Sequence, residues 1–141
     1  MPSHAETRLL PYSPEQLFDL VADVEHYPDF LPWCAGARIR DRQADGCFTA
    51  DLIVGFRMIR ESFTSRVTPS RPDRIDIEYV EGPFRRLENR WLFHAKDGGC
   101  EIDFHIEFEV RSRILATLLE PLFGEAVQRM VGAFATRAEV V

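Results

Sequence analysis

The sequence predicts an α+β fold of the helix-grip type, in which a curved antiparallel sheet of about six or seven strands wraps around a long C-terminal helix. Between Gly36 and Val110, apolar and polar residues alternate in successive segments, a pattern typical of antiparallel strands with one covered face. Between Ile114 and Val140, apolar residues recur every three or four positions, which indicates an amphipathic helix. With 141 residues, 45% of them hydrophobic, the chain is expected to form one domain over residues 1–141.

The N-terminal segment predicts one strand and one capped helix. The strand is expected over residues 4–10. Ser13-Pro14-Glu15-Gln16 then has the spacing of a capping box, with proline at the first helical position. Apolar residues at helical spacing extend this helix to about Asp23.

The segment from Val24 to Cys34 is unusually rich in large apolar residues for a loop. Pro28 and Pro32 should prevent the helix from continuing through it. Its large apolar side chains are Tyr27, Phe30, Leu31 and Trp33. Such a loop either packs over the core or lines the mouth of an apolar cavity, and the aromatic content of the remaining chain favours the cavity.

The middle of the chain predicts a series of strands joined by turns. The first strand places Arg38, Arg40 and Arg42 on one side, and Asp45-Gly46 supplies the hairpin turn that follows. The next strand is expected from Phe48 to Met58, with Gly55 as a candidate bulge. Further inner-facing rows are expected at Phe63, Ser65 and Val67, at Ile75, Ile77 and Tyr79, at Leu87, Asn89, Trp91, Phe93 and Ala95, and at alternate residues from Cys100 to Val110.

The C-terminal helix is expected to run from Leu115 to Val140, a length of about 39 Å at 1.5 Å per residue. Pro121 either kinks this helix or restarts it, and the sequence leaves both alternatives open.

A gap is expected between this helix and the sheet, because a twisted sheet curves away from a straight rod. The chain contains 11 phenylalanines and two tryptophans, and deep apolar ligand pockets are lined by such residues. Any single one of these aromatic residues is more simply explained as part of the hydrophobic core. The prediction of a pocket therefore depends on their number rather than on any one of them.

Catalysis has little support in the sequence. There is no G-x-S-x-G motif, no cysteine with a recognisable histidine partner and no acid–base pair predicted to face inward. Carboxylates on the strands lie opposite the apolar rows and are expected on a solvated face; they are Asp76, Glu78, Asp103, Glu107 and Glu109. Tyr79 and Asn89 do face inward, where they either orient a ligand carbonyl or bond to the backbone.

Cofactor and metal sites are not expected. Cys34, Cys47 and Cys100 are widely scattered and should be buried thiols. The four histidines include no pair four residues apart, so a metal site is not expected.

The formal charge of −6 opposes non-specific nucleic-acid binding by the chain as a whole, and no DNA partner is expected. The first residues contain no apolar signal region, and no stretch approaches the 18 to 20 apolar residues of a membrane span. A cytoplasmic protein is therefore expected.

Three motifs resemble the coenzyme Q-binding family of START-like proteins, part of the polyketide cyclase/dehydrase (SRPBCC) superfamily. They are the segment Tyr27 to Cys34, the segment Gly82-Pro83-Phe84 with Leu87 and Trp91, and the ending Met130 to Ala138. The resemblance spans roughly residues 3 to 139 and implies a START-like lipid-binding domain.

The resemblance implies that the chain binds ubiquinone or a similar polyprenyl lipid as a non-enzymatic chaperone supporting respiratory electron transport. Ubiquinone would be a bound ligand rather than a cofactor, and the protein would dock transiently at the inner membrane and serve respiratory complexes. Phe30 and Trp33 would then anchor the protein at the membrane interface. The side chains of Arg38, Arg40 and Arg42 would contact anionic lipid headgroups. The candidate ligand-binding residues are Tyr27, Phe30, Leu31, Pro32, Trp33, Phe56, Tyr79, Phe84, Trp91, Phe123, Val127, Met130, Val131 and Phe134.

Relatives within the same family imply an alternative function. Some bacterial members are ribosome-association toxins that act at the large subunit, which makes the ribosome the alternative partner. The acidic balance and the lack of a basic tail favour the lipid carrier, whereas the arginines after Gly36 are compatible with the ribosome. A cyclase or dehydratase activity is a third reading, but fold alone does not imply it.

Overall fold

The computed structural model describes residues 3–31, 34–56, 59–119 and 123–140. Within these ranges it contains a seven-stranded antiparallel sheet with the strand order β1-β7-β6-β5-β4-β3-β2. The strands are β1 (Ser3–Leu10), β2 (Cys34–Arg40), β3 (Phe48–Phe56), β4 (Ile59–Ser70), β5 (Arg74–Glu81), β6 (Phe84–Lys96) and β7 (Gly99–Val110). The helices are α1 (Pro14–Ala22), α2 (Arg113–Leu119) and α3 (Phe123–Val140), with a 3₁₀ helix over Val24–Asp29. The predicted helix-grip fold is confirmed.

Helix α1 begins as predicted. The Ser13 side chain accepts a hydrogen bond from the Gln16 amide at 3.1 Å, and the Gln16 side chain accepts one from the Ser13 amide at 2.9 Å. Both bonds satisfy amide groups that the first helical turn cannot pair internally.

The first half of the aromatic segment is helical, contrary to the loop expected there. After α1 ends, Val24–Asp29 winds into a 3₁₀ helix that contains Pro28. The His26 amide donates to the Asp23 carbonyl at 3.2 Å, and the Phe30 amide donates to the Tyr27 carbonyl at 3.2 Å. Proline has no amide hydrogen, so it stops an α-helix but is tolerated in so short a turn.

The sequence suggested that Arg42 shares a strand face with Arg38 and Arg40, but in the structure it does not. Strand β2 ends at Arg40, and Asp41 takes a positive φ of 55°, which redirects the chain. The Arg42 guanidinium instead pairs with Glu25 at 3.0 Å and lies 5.6 Å from the centre of the Phe48 ring.

Strands β3 and β4 form a hairpin where the sequence suggested one longer strand. Their register is continuous through the pairs Gly55–Arg60 and Phe56–Ile59, so Gly55 is not a bulge. Strand β3 ends at Phe56 and β4 begins at Ile59, and Met58, the expected end of the strand, lies outside the described residues. An alternating apolar pattern persists through this reversal, which is why the turn was not visible in the sequence.

The C-terminal helix begins at Arg113, two residues before the expected start, and the structure describes it as the segments α2 and α3 on either side of residues 120–122. Pro121 lies outside the described residues, so its effect on the helix stays a prediction. Helix α3 packs its apolar side against α1 and the inner face of the sheet through Val127, Val131, Phe134 and Ala138, all of which are buried.

Candidate functional site

The inner face of the sheet carries two separate groups of buried side chains. The larger one joins α1, the 3₁₀ helix and α3 to the ends of the strands near Phe48, Ile75 and Ile102. The smaller one consists of Leu87, Phe108 and Val110, with Tyr79, Phe84 and Ala116 against it. Ile106 is half-buried and packs against both groups.

Trp91 lies at the centre of the larger group. Its ring is 4.7 Å from the ring of Phe104 and 5.2 Å from that of Phe134, measured between centroids. Val127 and Val131 are buried in the same group, and Met130 is partly buried beside them. These candidate ligand-binding residues therefore lie together between α3 and the sheet.

The described part of the aromatic segment belongs to this group too. Tyr27 is buried, its hydroxyl donates a hydrogen bond to the Val21 carbonyl, and burial raises the pKa of that hydroxyl. The Phe30 ring is 5.1 Å from the ring of Phe134, and Leu31 is buried. Pro32 and Trp33 lie outside the described residues, as do the side chains of Phe56 and Phe123, so their proposed roles stay predictions.

Tyr79 and Phe84, two further candidates, lie in the smaller group. The Phe84 ring is 5.6 Å from the Tyr79 ring and 5.5 Å from the Phe108 ring. The Tyr79 hydroxyl accepts a hydrogen bond from the Phe84 amide at 3.0 Å. The sequence allowed Tyr79 either to orient a ligand carbonyl or to bond to the backbone, and the structure shows the bond to the backbone.

The residues between the two groups are incompletely covered. Leu52, Ile77 and Ile106 face inward but are only partly buried, whereas Phe48, Ile75 and Ile102 on the same strands are fully buried. The inner face of the sheet is therefore tightly covered at one end and less so at its middle.

Two polar atoms face this less covered region without a partner among the described residues. They are Ser65 Oγ on β4, in a residue that is 2% exposed, and Asn89 Oδ1 on β6. One strand separates β4 from β6, and Ser65 pairs with Tyr79 whereas Asn89 pairs with Ile77, so the two positions are about 12 Å apart. Buried polar atoms normally have a hydrogen-bond partner, so this pair is suited to a ligand with polar groups. The sequence had indicated Asn89 but not Ser65, although Ser65 lies on an inner-facing row.

An inward-facing acid–base pair exists at the sheet edge, contrary to the sequence expectation. On β1, His4, Glu6 and Arg8 alternate with exposed residues and share a face with Leu10, which packs on the larger group. Glu6 Oε1 is 3.3 Å from His4 Nε2, and Glu6 Oε2 is 2.9 Å from Arg8 Nη2. Polar side chains occupy both faces of this strand in residues 4–8, so the sequence does not indicate which face is covered.

The outer face of β2, β3 and β4 carries a recess of about 530 Å³. Arg38, Arg40, Asp51, Ser62 and Thr64 are among the residues that line it. Ala37 and Leu52, which pack against the core, also border the recess, and its charged residues include Glu81 as well as Asp51. By register, Arg38, Asp51 and Thr64 lie on the outer face of the sheet.

Asp51 organises that recess. Its carboxylate accepts hydrogen bonds from Arg40 Nε at 2.9 Å, Arg38 Nη2 at 2.9 Å and Thr64 Oγ1 at 2.6 Å. The hydrogen bond from Arg40, together with that from Thr64, holds the pKa of Asp51 well below its usual range. Asp51 is therefore ionised at neutral pH and fixes both guanidinium groups. Sequence inspection found the arginines but gave no sign of this shared carboxylate.

The cysteines and the strand carboxylates lie where the sequence predicted them. The three cysteines are buried, and burial raises the pKa of the Cys34 and Cys100 thiols. The strand carboxylates lie on the outer face, where Glu107 pairs with Arg86 at 3.3 Å and Asp103 with His94 at 2.9 Å. In the part of the chain that the structure describes, no group of three or more His, Cys, Asp and Glu side chains is placed to hold a metal ion.

Among the described helices, none combines the length and apolar character needed to cross a membrane.

The relatives of the chain include a ribosome association toxin and a coenzyme Q-binding protein. The chain is 38% identical to the Rickettsia prowazekii protein named Ribosome association toxin RatA, over 100% of this chain and 99% of that one. It is 32% identical to the Xenopus laevis Coenzyme Q-binding protein COQ10 homolog B, mitochondrial, over 96% of this chain and 57% of that protein.

Solved structures show the same fold. The 18 kDa protein CC1736 from Caulobacter crescentus matches with a TM-score of 0.81 and 37% identity, over 99% of this chain and 97% of that one. A START superfamily protein from Mycobacterium smegmatis matches with a TM-score of 0.83 and 22% identity, over 97% of both chains.

Residues 10–135 match the family described as polyketide cyclase / dehydrase and lipid transport. This match covers most of the chain, and the START superfamily neighbour has the same overall fold. The chain therefore belongs to the polyketide cyclase / dehydrase and lipid transport family, within the START-like group of folds.

Proposed function

We propose that this protein associates with the ribosome and acts there by binding rather than by catalysis. The observation that carries this proposal is the full-length similarity to ribosome association toxins, which reaches 38% identity with no large unmatched segment in either chain. The ribosome was the alternative in the sequence analysis. It now becomes the main proposal, because the relative named for coenzyme Q is less similar and is matched over 57% of its length.

The described side chains support a binding role. The inward-facing Glu6 carboxylate already pairs with His4 and Arg8. On the outer face, the carboxylates of Asp76 and Glu107 pair with arginines at 2.8 and 3.3 Å. General acid–base catalysis instead uses a group positioned against the substrate.

Ribosome association is tested by sedimentation. Purified protein should move with ribosomal particles through a sucrose gradient at low salt, and separated subunits should show which one it follows. Protein that stays at the top of the gradient with both subunits would contradict the proposal.

A second candidate function is binding of a polyprenyl quinone in the gap between the sheet and α3. The specific observation in its favour is the pair of unpartnered polar atoms, Ser65 Oγ and Asn89 Oδ1, among incompletely covered apolar residues. The Ser65 hydroxyl can donate to a quinone carbonyl, and the Asn89 carbonyl oxygen can accept from a hydroquinone hydroxyl.

A quinone carrier requires both tight retention and release. Removing one five-carbon isoprene unit from water is worth about 4 kcal/mol, so the tail is never free in solution. When the isoprenoid tail moves from a bilayer into an apolar gap, it passes from one apolar medium to another, so the net free energy of transfer is small. Selectivity would come from shape and from hydrogen bonds at Ser65 and Asn89, and exchange would require transient contact with a membrane.

Replacing Val127 with glutamine tests this second function. Val127 is buried on α3 against the larger group, so the amide should abolish copurification of quinone and lower the free energy of unfolding by about 1–3 kcal/mol. Lipid extracted from the purified variant is measured by mass spectrometry. Thr136→Gln, at an exposed position of α3, is the control. Unchanged quinone in folded Val127→Gln protein would show that α3 does not line a lipid site.

A further inference from the structure

We infer that the less covered middle of the inner face binds a hydroquinone in preference to the corresponding quinone, and that Asn89 makes the distinction. The inference rests on the second candidate function, the binding of a polyprenyl quinone, and assigns a preferred redox state to that ligand. Reduction of a quinone takes up two electrons and two protons. No such step is assigned to this protein, which holds the reduced form without producing it.

The side chain of Asn89 lies in an apolar part of the inner face. Asn89 is paired with Ile77 on β5 and with Ile106 on β7. Both isoleucines are half-buried, and neither side chain has a hydrogen-bonding group. Asn89 Oδ1 is buried and has no hydrogen-bond partner among the described residues. Because a carbonyl oxygen only accepts hydrogen bonds, a ligand must bring a donor hydrogen to satisfy it.

Ser65 accepts either redox form. Its Oγ atom is also buried without a partner among the described residues, in a residue that is 2% exposed. A hydroxyl group both donates and accepts hydrogen bonds, so Ser65 can donate to a quinone carbonyl or accept from a hydroquinone hydroxyl. Ser65 therefore contributes to the retention of both forms, and the distinction between them is left to Asn89.

One aromatic ring with two opposed oxygens can bridge these polar atoms. The positions of Ser65 and Asn89 are about 12 Å apart, with Tyr79 and Ile77 of β5 between them. Two O–H···O hydrogen bonds of about 2.8 Å account for nearly half of that distance, and the para oxygens of one ring span most of the remainder. The partly buried side chains of Tyr79 and Ile77 would lie under the ring.

A hydroquinone satisfies both polar atoms, whereas a quinone satisfies only one. A hydroquinone carries a hydroxyl at each end and can donate one hydrogen to Asn89 Oδ1. A quinone has only carbonyl acceptors on its ring, so it leaves Asn89 Oδ1 buried and unpaired. Leaving a buried acceptor unpaired is costly, and sites that bond a ligand hydroxyl reject analogues without it. We expect the hydroquinone to bind at least about tenfold more tightly.

The test compares probes that share one ring and one decyl tail. Decylubiquinone, decylubiquinol and the dimethyl ether of decylubiquinol are titrated into the purified protein under argon by isothermal titration calorimetry. Decylubiquinol should bind at least about tenfold more tightly than decylubiquinone. The dimethyl ether has an electron-rich ring but no hydroxyl hydrogen, so it should bind no more tightly than the quinone.

Two variants assign the preference to a residue. Asn89→Leu removes the acceptor with little change in volume, so the affinities for the two forms should come within about twofold, chiefly because hydroquinone binding weakens. The matched control is Ser65→Ala, which should weaken the binding of both forms and keep the preference for the hydroquinone. Thermal unfolding shows whether the two variants are folded.

A redox titration of the bound ligand measures the same preference without any variant. Tighter binding of the reduced form must raise the reduction potential of the bound couple, because binding and reduction are linked. A tenfold preference corresponds to a rise of about 30 mV for a two-electron couple. An unchanged or lowered potential would contradict the inference.

The outcomes distinguish failure of this inference from failure of quinone binding. Equal affinities for the two forms, tighter binding of the quinone, or a dimethyl ether that binds as tightly as the hydroquinone would overturn the inference and leave quinone binding standing. A full preference in folded Asn89→Leu protein would overturn the role of Asn89. Absence of binding by all three probes would overturn the second candidate function and this inference with it, and leave ribosome association untouched.

Discussion

Replacing Trp91 with alanine should lower the free energy of unfolding by about 3–5 kcal/mol, which is the usual cost of removing a buried aromatic side chain. Trp91 is 2% exposed and contacts the rings of Phe104 on β7 and Phe134 on α3. Its removal would leave a cavity at the point where the sheet and the C-terminal helix meet. Urea denaturation should show a lower midpoint with little change in the slope.

The control for this change is Val80→Ala on the neighbouring strand β5. Val80 is 57% exposed, so its truncation should alter stability by less than about 0.5 kcal/mol. If Trp91→Ala costs no more than Val80→Ala, Trp91 does not join α3 to the sheet as described.

Replacing Gly99 with alanine should destabilise the protein by about 3 kcal/mol, at the upper end of the costs of overpacking. Gly99 begins β7 beside the end of β1. A Cβ atom at this position would lie 2.0 Å from the carbonyl oxygen of Leu10. Relief of that contact requires the backbone of β1 to move away from β7, which would weaken the pairing of Leu10 with Cys100.

Gly98 is the matched control for Gly99. A Cβ atom there meets nothing within 4 Å, but the residue has a φ of 81°. Gly98→Ala should therefore cost about 1 kcal/mol through backbone strain alone. Thermal or urea unfolding of the two variants side by side measures the difference. Equal stabilities would show that β1 does not approach β7 as closely as described.

The fold could be predicted largely because its signals are local and periodic. The alternation from Cys100 to Val110 and the capping box at Ser13 each depend on residues close in sequence, and both are confirmed. Turns inside continuous apolar patterns were not predictable in this way. The reversal after Phe56 and the 3₁₀ helix at Val24–Asp29 have apolar residues on both sides, so periodicity does not mark them.

The candidate site was less predictable because it depends on pairing between distant strands. The approach of Arg38 and Arg40 to Asp51 follows from the register of β2 with β3, and the bond to Thr64 follows from the register of β3 with β4. Likewise, Asn89 Oδ1 has no hydrogen-bond partner among the described residues because the strands next to it place no donor within reach. Residue identity alone gives no sign of either arrangement.

The measurement that most directly tests the central proposal is an equilibrium titration of N-terminally labelled protein with purified ribosomal subunits, the large and the small in separate titrations. We expect saturable binding to one of them that weakens as salt is raised, as contact with RNA phosphates requires. Absent or non-saturable binding to both subunits at low salt, with protein that is folded and monodisperse, would contradict the proposal that this protein associates with the ribosome.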